Sequence, residues 1–447
     1  MNCQAMGEYI PPREENDLYI LVTGANSGLG FSICCRLADE FLSSRSSDET
    51  LTIIFTTRSA RKAKDTRNQL ERHLQSSNPS PTDAARVKFV SESVDLGDLL
   101  SVRKLSRRLL QNFPKLDAII LNAGIGGWSG LDWPSAIWGV LTDLIHQTTW
   151  PSYKLAPTGV LAARQTKETE EPQLGYVFCA NVFGHYMLAH NVVPLLKQAN
   201  SPNGPGRIVW VSSIEATIDL FDVNDIQGLR TAAPYESSKA LTDILALTSD
   251  LPGAAPWAVN SFLRSDAENK TTNGRATSSN PSIHVSHPGI CATSIVPLIL
   301  PLAWAMVAAF YGARILGSPW HTLSTYIGAC APVFLALSRQ SELEATEAPY
   351  RQAGGGKLKW GSAASRWGEE SVASTETEGW GHGGVVGRNV VDADRNRRRK
   401  RGATELTEEK KGNFEELGRQ CWRQMEDLRV KWEGILDQAE QSAEADK

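Results

Sequence analysis

A short apolar run at residues 17–24, DLYILVTG, ends on a glycine and passes through Thr23-Gly24-Ala25-Asn26-Ser27-Gly28-Leu29-Gly30 into a helical pattern over 29–42. A run that is apolar at nearly every position suits a strand buried on both faces better than an amphipathic element. Glycines at its end permit a tight turn and bring backbone amides close to whatever lies before the helix N-terminus. Strand-like runs recur at 51–57, 87–94, 116–121, 207–212 and 282–286, with helical stretches between most of them. Strands alternating with helices require right-handed crossovers and a parallel sheet. The expected fold is therefore α/β: a Rossmann-like, doubly wound parallel sheet with helices on both faces.

The chain has 447 residues, more than one such unit needs, and the surplus is visible. Residues 1–16 read as an N-terminal extension without the basic and apolar regions of a secretory signal. The main domain is expected over 17–340, with insertions at 126–175 and 214–234. Residues 290–313 carry no charge; 295–313 approach bilayer-spanning length, but Pro297 and Pro301 would kink or delay a helix. Shallow membrane attachment, a substrate lid and a spanning helix all remain open for this segment. The Gly-, Ser- and Glu-rich stretch 341–403, with its RNRRRKR run, reads as a flexible linker. Over 404–440, Phe414, Leu417, Cys421, Trp422, Met425, Leu428, Trp432, Ile435 and Leu436 recur at helical spacing and describe an amphipathic helix. A net charge of −4 argues against a nucleic-acid partner, and the scattered cysteines have neither zinc nor disulfide spacing.

The turn Gly24, Asn26, Ser27, Gly28, Leu29 and Gly30 is suited to a dinucleotide pyrophosphate. Its TGxxxGxG spacing differs from the GxGxxG fingerprint. At the end of the second strand, Thr56-Thr57-Arg58 offers no carboxylate for a ribose but does offer a cation for a 2′-phosphate, which favours NADPH; Arg58 is the first candidate and Lys64 the second. Asp95 is placed for the adenine, Asn122-Ala123-Gly124 for the adenosine wall, and Pro288-Gly289-Ile290 with Thr293 for the nicotinamide amide. No metal site is expected. Tyr235 and Lys239 stand one helical turn apart, so an ammonium can favour ionisation of a phenol whose ordinary pKa is about 10. Ser212 or Ser213, ending RIVWVSS, could polarise a substrate carbonyl. Asn181 could hold a water that relays protons to Lys239. Each of these residues has an ordinary structural reading as a cap, turn or packing residue; their order and contexts together point to ketone reduction.

These motifs resemble the short-chain dehydrogenase/reductase family over roughly 17–300. That resemblance places the proton donor at Tyr235, the lysine that lowers its pKa at Lys239, the carbonyl-polarising serine at Ser213 and the helix asparagine at Asn181. Ser213 lies 22 residues before Tyr235, farther than the dozen or so usual in the family, because of the 214–234 insertion. The stretch from WVSSIEATIDLF to PYESSKALTDILAL is similar to the 3-ketosteroid reductases of sterol C4-demethylation. So are GLDWPSAIWGVL, TWPSYKLAP and FCANVFGHYMLAH, the fungal members above all. The resemblance implies NADPH-dependent reduction of a 3-keto-4-methylsterol in ergosterol synthesis at the endoplasmic reticulum membrane or lipid droplets. It also implies contact with other C4-demethylation enzymes. The alternatives are reduction of another lipophilic ketone or aldehyde, such as a retinoid, and a scaffolding role.

Overall fold

The computed structural model describes residues 17–77, 80–166, 171–199, 203–264, 279–292 and 300–445. The N-terminal extension therefore lies outside the described residues, as do Thr293 and 293–299 of the uncharged segment.

Eight strands form one sheet: β1 (Asp17–Val22), β2 (Thr50–Thr57), β3 (Val87–Ser93), β4 (Ala118–Leu121), β5 (Arg207–Val211), β6 (Ser282–His287), β7 (Lys359–Ala364) and β8 (Glu370–Thr375). Their order is β8-β7-β6-β5-β4-β1-β2-β3. The seven from β3 to β7 are parallel, and only β8 runs antiparallel, against β7. Alternate residues of β1 feed two cores. Tyr19 and Leu21 face one with α3 (Leu99–Asn112), α6 and α7 (Pro234–Thr248), while Leu18, Ile20 and Val22 face the other with α1 (Gly28–Ser44) and α2 (Ala60–Ser76). Helix α6 runs from Tyr176–Phe178 through a π-turn at Cys179–Phe183 into Gly184–Asn191.

The 126–175 insertion holds a small ribbon, Gly130–Leu131 against Lys154–Leu155, around α4 (Trp133–Thr142) and α5 (Leu144–Thr149). The uncharged segment contains α8 (Leu300–Ile315), which starts beside Pro301; proline is tolerated in a first turn, so it delays the helix rather than breaking it. Among the described residues, no helix is long and apolar enough to cross a membrane.

The stretch 341–403 departs from the expected flexible linker. It supplies most of α10 (Gln340–Gln352), then β7 and β8, and α9 (Cys330–Leu337) packs over these strands. β7 reads KWGSAA and is buried at every position, although Trp360 is its one large apolar residue. Small residues become buried through ladder pairing and a covering helix, which a composition-based estimate of apolar area does not register. Turns at Gly381, Gly383 and Gly384, all at positive φ, enclose the fully buried Trp380. The basic run is tied down as well: Arg397 bonds Ser374 O (2.7 Å) and Asp394, Arg399 pairs with Glu376, and Arg401 with Asp143.

Helix α11 (Glu408–Ala445) closes the molecule. Its stripe docks on its own domain, with Phe414, Cys421, Trp422, Met425, Trp432 and Leu436 buried in the same core as α7. Polar contacts fix the docking. Trp422 Nε1 donates to Leu245 O (3.1 Å), and Glu426 accepts from Tyr186 Oη (2.6 Å) and pairs with Arg429.

Candidate active site

Parallel strands all end on one side of the sheet, and the sequence-predicted residues collect there. All of the described ones but Lys64 and Asn181 line a cleft of ≈ 890 Å³ that runs from the turn after β1, past the ends of β2 to β6, to a mouth between α4 and α8.

The glycine turn is shaped by close approach. Gly24 has φ +70°, and a Cβ there would stand 2.7 Å from Ala123 Cβ; one on Gly30 would stand 2.3 Å from Gly24 O and 2.6 Å from Asn122 Nδ2. Asn122 stitches the turn to the end of β4, its Nδ2 donating to Thr23 O (2.9 Å). Thr23 Oγ1 accepts from the amides of Asn122 (2.9 Å) and Ala123 (3.1 Å) and lies 2.8 Å from His185 Nε2. Sequence reasoning missed both Thr23 and His185. Ser27, at the N-cap of α1, makes no side-chain cap bond, and the first turn holds no acidic residue. The helix thus presents free amides and the positive end of its dipole to the cleft.

At the end of β2, Arg58 lines the cleft, accompanied by Lys62; Lys64 is exposed and outside it. Three residues separate Arg58's loop from the helix face that turns Lys62 inward, and position in sequence alone did not distinguish the two lysines. Asp95 also lines the cleft, with Oδ1 accepting from Gly97 N–H (3.0 Å).

Beyond β5 the two serines separate. Ser212 Oγ turns back to Lys239 O (3.3 Å), whereas Ser213 interacts with the Tyr235 hydroxyl and pulls its pKa down. That influence, with Ser212 turned back toward Lys239 O, favours Ser213 as the residue beside the phenol. Even so, Tyr235 stands above its ordinary pKa, because burial comes first and Glu215 adds to it. This corrects the expectation of a phenol acidified by Lys239. Lys239 Nζ donates to Val211 O (2.8 Å) and lies 5.8 Å from the Tyr235 ring centroid. Burial, the largest influence, lowers Lys239 to about 8; Asp243 opposes this and Lys359 adds to it.

Asn181, in the π-turn of α6, does not face open space for a water. Its Oδ1 accepts from Ile125 N–H (2.8 Å), and its Nδ2 donates to Ile125 O (3.0 Å) and Ser238 Oγ (3.2 Å). It clamps the loop after β4 to α7, and a Cβ on Gly124 would stand 3.2 Å from its Oδ1. The insertion adds residues the motifs did not announce. Trp128 meets Tyr235 edge to face at 4.9 Å, and Lys154 Nζ lies 4.0 Å from the Trp128 ring and 5.5 Å from the Tyr235 ring while pairing with Glu215. The signal for Lys154 was a lone charge in the apolar, aromatic stretch TWPSYKLAP.

Pro288, Gly289 and Ile290 form the far wall, with Gly289 at φ +70° and Ile290 N–H bonded to Trp320 O (2.6 Å). The mouth is apolar: Trp133, Ile137 and Val140 of α4 face Leu302, Met306 and Phe310 of α8.

A parallel sheet in this order, a glycine turn before α1, and serine, tyrosine and lysine at the end of β5 and on α7 define a short-chain dehydrogenase/reductase. No protein-family model matches the chain. It is 57% identical to the 3-keto-steroid reductase of Aspergillus fumigatus, over 97% of this chain and 98% of that one. It is 39% identical to that of Gibberella zeae, over 96% of each, and 32% identical to that of Schizosaccharomyces pombe, over 80% of this chain and 90% of that one. The chain belongs to the 3-keto-steroid reductase family. Solved structures aligned with it include a 7α-hydroxysteroid dehydrogenase complexed with NADH and 7-oxo glycochenodeoxycholic acid, at TM-score 0.40 and 14% identity, covering 71% of this chain and 87% of that one.

Proposed function

We propose that this chain reduces the 3-ketone of a 4-methylsterol to the 3-hydroxyl with NADPH, as a step of ergosterol synthesis. The observation that carries the reading is one cleft of ≈ 890 Å³ that joins a phosphate turn, the Ser213–Tyr235–Lys239 set and an apolar mouth. A sterol offers one polar handle on a large apolar skeleton, and the cleft has that division of labour.

The residues present fit a dinucleotide. The Gly24–Gly30 approach leaves no room for a Cβ, and the uncapped start of α1 offers amides to a pyrophosphate. Arg58, with Lys62, would hold the 2′-phosphate, and Asp95 the adenine end. When bound, the cofactor supplies a hydride to the carbonyl carbon. The chain does the rest. Ser213 donates a hydrogen bond to the carbonyl oxygen, and Tyr235 delivers the proton to that oxygen as the hydroxyl forms. The raised pKa of Tyr235 keeps the phenol protonated, the state a donor needs. Lys239 at 5.8 Å and Lys154 at 5.5 Å from its ring place positive charge on the side of the phenolate left behind.

The mouth supports a location at a membrane surface. Helix α8 turns Leu302, Ala305 and Met306 into the cleft and leaves Leu300, Trp304 and Ile315 exposed, as are Trp138 and Leu141 of α4. Two helices apolar on their outer faces, with tryptophans at the rim, suit shallow insertion into the cytosolic leaflet of the endoplasmic reticulum or a lipid droplet. A lipophilic substrate would then enter without crossing water.

The test follows NADPH oxidation by purified protein with a 3-keto-4-methylsterol beside a retinal and unrelated lipophilic ketones. Sterol-selective turnover that Tyr235→Phe abolishes is expected, with NADPH binding retained. Equal turnover of all the ketones, or an active Tyr235→Phe variant, overturns the assignment.

A further inference from the structure

The reactive set is held from behind by a pair of buried charges, one of which comes from the segment beyond the sixth strand. Lys359, on β7, is 3% exposed and Asp243, on α7, is 0% exposed. Lys359 Nζ donates to Asp243 Oδ2 at 2.6 Å and to Ser213 O at 2.7 Å. Asp243 stands on the same helical face as Tyr235 and Lys239, one turn beyond the lysine and two beyond the tyrosine. Two ammonium groups therefore grip the end of β5 from opposite sides of Ser212, Lys239 at Val211 O and Lys359 at Ser213 O. Ser212 completes the grip, with its N–H on Ser286 O (2.7 Å) and its Oγ on Lys239 O.

A buried ion pair is weak evidence of stabilisation, because desolvating both charges offsets much of their attraction. Its retention calls for another reason, and the third contact supplies one. The carbonyl of Ser213 lies immediately before the 214–234 insertion, two residues after β5 has ended. Apart from Lys359, Ser213 is held by bonds from within its own loop, Ala216 N–H on its carbonyl (3.3 Å) and Glu215 N–H on its Oγ (3.1 Å), so Lys359 is what ties it to the sheet and to α7. We infer that Lys359 and Asp243 are positioning residues for ketone reduction, fixing Ser213 against Tyr235 and holding the charge environment of Lys239.

The charges around Lys239 come from several elements: Asp243 and Tyr235 on its own helix, Lys359 on β7 and His185 on α6. His287, on β6, lies within the field of Lys359. Asp243 raises the pKa of Lys239 and Lys359 lowers it, so removing the Asp243 charge alone should lower it, whereas removing both charges together largely cancels.

This inference rests on the proposed roles of Ser213, Tyr235 and Lys239. Its test uses the full chain with NADPH and the ketosterol. The double variant Lys359→Met, Asp243→Leu removes the pair without leaving an orphan charge; kcat should fall about 10- to 100-fold, as for a reacting group displaced by roughly 1 Å, with KM for NADPH unchanged. Asp243→Asn keeps the side-chain volume and a hydrogen-bond acceptor for Lys359 while removing the negative charge, and its folding is checked by thermal melt; the alkaline limb of its kcat profile should move to lower pH. A double variant with wild-type kcat, or an Asp243→Asn profile that does not move, overturns the inference. If the double variant does not fold, the Asp243→Asn profile decides. Activity surviving in Tyr235→Phe would instead strike the functional reading itself.

Discussion

Replacing Gly30 with alanine tests the cofactor turn more sharply than removing any charged group, because the structure fixes what the added methyl meets. The new Cβ would lie 2.3 Å from Gly24 O, against 3.4 Å for ordinary contact, so 3.4 − 2.3 leaves about 1.1 Å to be found. Asn122 Nδ2, at 2.6 Å, blocks one escape, and it is itself bonded to Thr23 O at 2.9 Å. The turn and the start of α1 must therefore separate, which pulls backbone amides off the pyrophosphate position. Losing one or two hydrogen bonds to a charged group costs about 1.5–3 kcal/mol each. NADPH affinity should then fall about 100-fold, near 2.7 kcal/mol. Stability should change far less. Alanine gains roughly 1 kcal/mol of helix propensity over glycine, while overpacking costs about 1–3 kcal/mol. Titrating NADPH fluorescence gives the affinity, and thermal melts without cofactor give the stability. A Gly30→Ala protein that binds NADPH as tightly as wild type would refute the pyrophosphate assignment. One that loses its fold would show that the close approach serves packing instead.

Arg58→Glu should reverse the preference between NADPH and NADH, read from the ratio of their kcat/KM values, and an unchanged ratio would exclude Arg58 as the phosphate contact. Raising the pH through about 8 should lower kcat as Lys239 loses its proton and the phenolate its cation; Lys239→Met should remove that limb along with most of the activity. Trp422→Ala should destabilise the chain by about 3–5 kcal/mol, seen as a lower melting temperature, since the ring is 1% exposed and bonded to Leu245 O. Trp138→Ala with Trp304→Ala should weaken flotation with liposomes while leaving turnover of detergent-dispersed ketone intact; unchanged flotation would count against the mouth as the membrane surface.

The first six sheet strands were legible because each is a short apolar run between helical patterns. The residues that line the cleft were legible because they cluster at strand ends in fixed local contexts. What escaped the sequence depends on contacts between distant segments. Ser212 and Ser213 are adjacent and chemically identical, and only the packing of α7 against β5 turns one toward Tyr235 and the other toward Lys239 O. Lys62 and Lys64 are two residues apart on a helix, and only the helix's rotation brings the first to the cleft. The stretch 341–403 escaped for a different reason. Its strands carry small residues whose burial comes from the β6 ladder and from α9, so nothing in their own composition announces a sheet. Yet that stretch delivers Lys359 to Ser213, and the insertion at 126–175 delivers Lys154 and Trp128 to Tyr235. The local motifs thus identify the reaction, whereas the segments that sequence reading treated as surplus supply Trp128 and Lys154 beside Tyr235 and Lys359 behind Ser213. Substitutions in those segments should therefore alter rate and substrate preference more than cofactor affinity, because the insertion lines the ketone end of the cleft and Lys359 holds the carbonyl of Ser213 behind it.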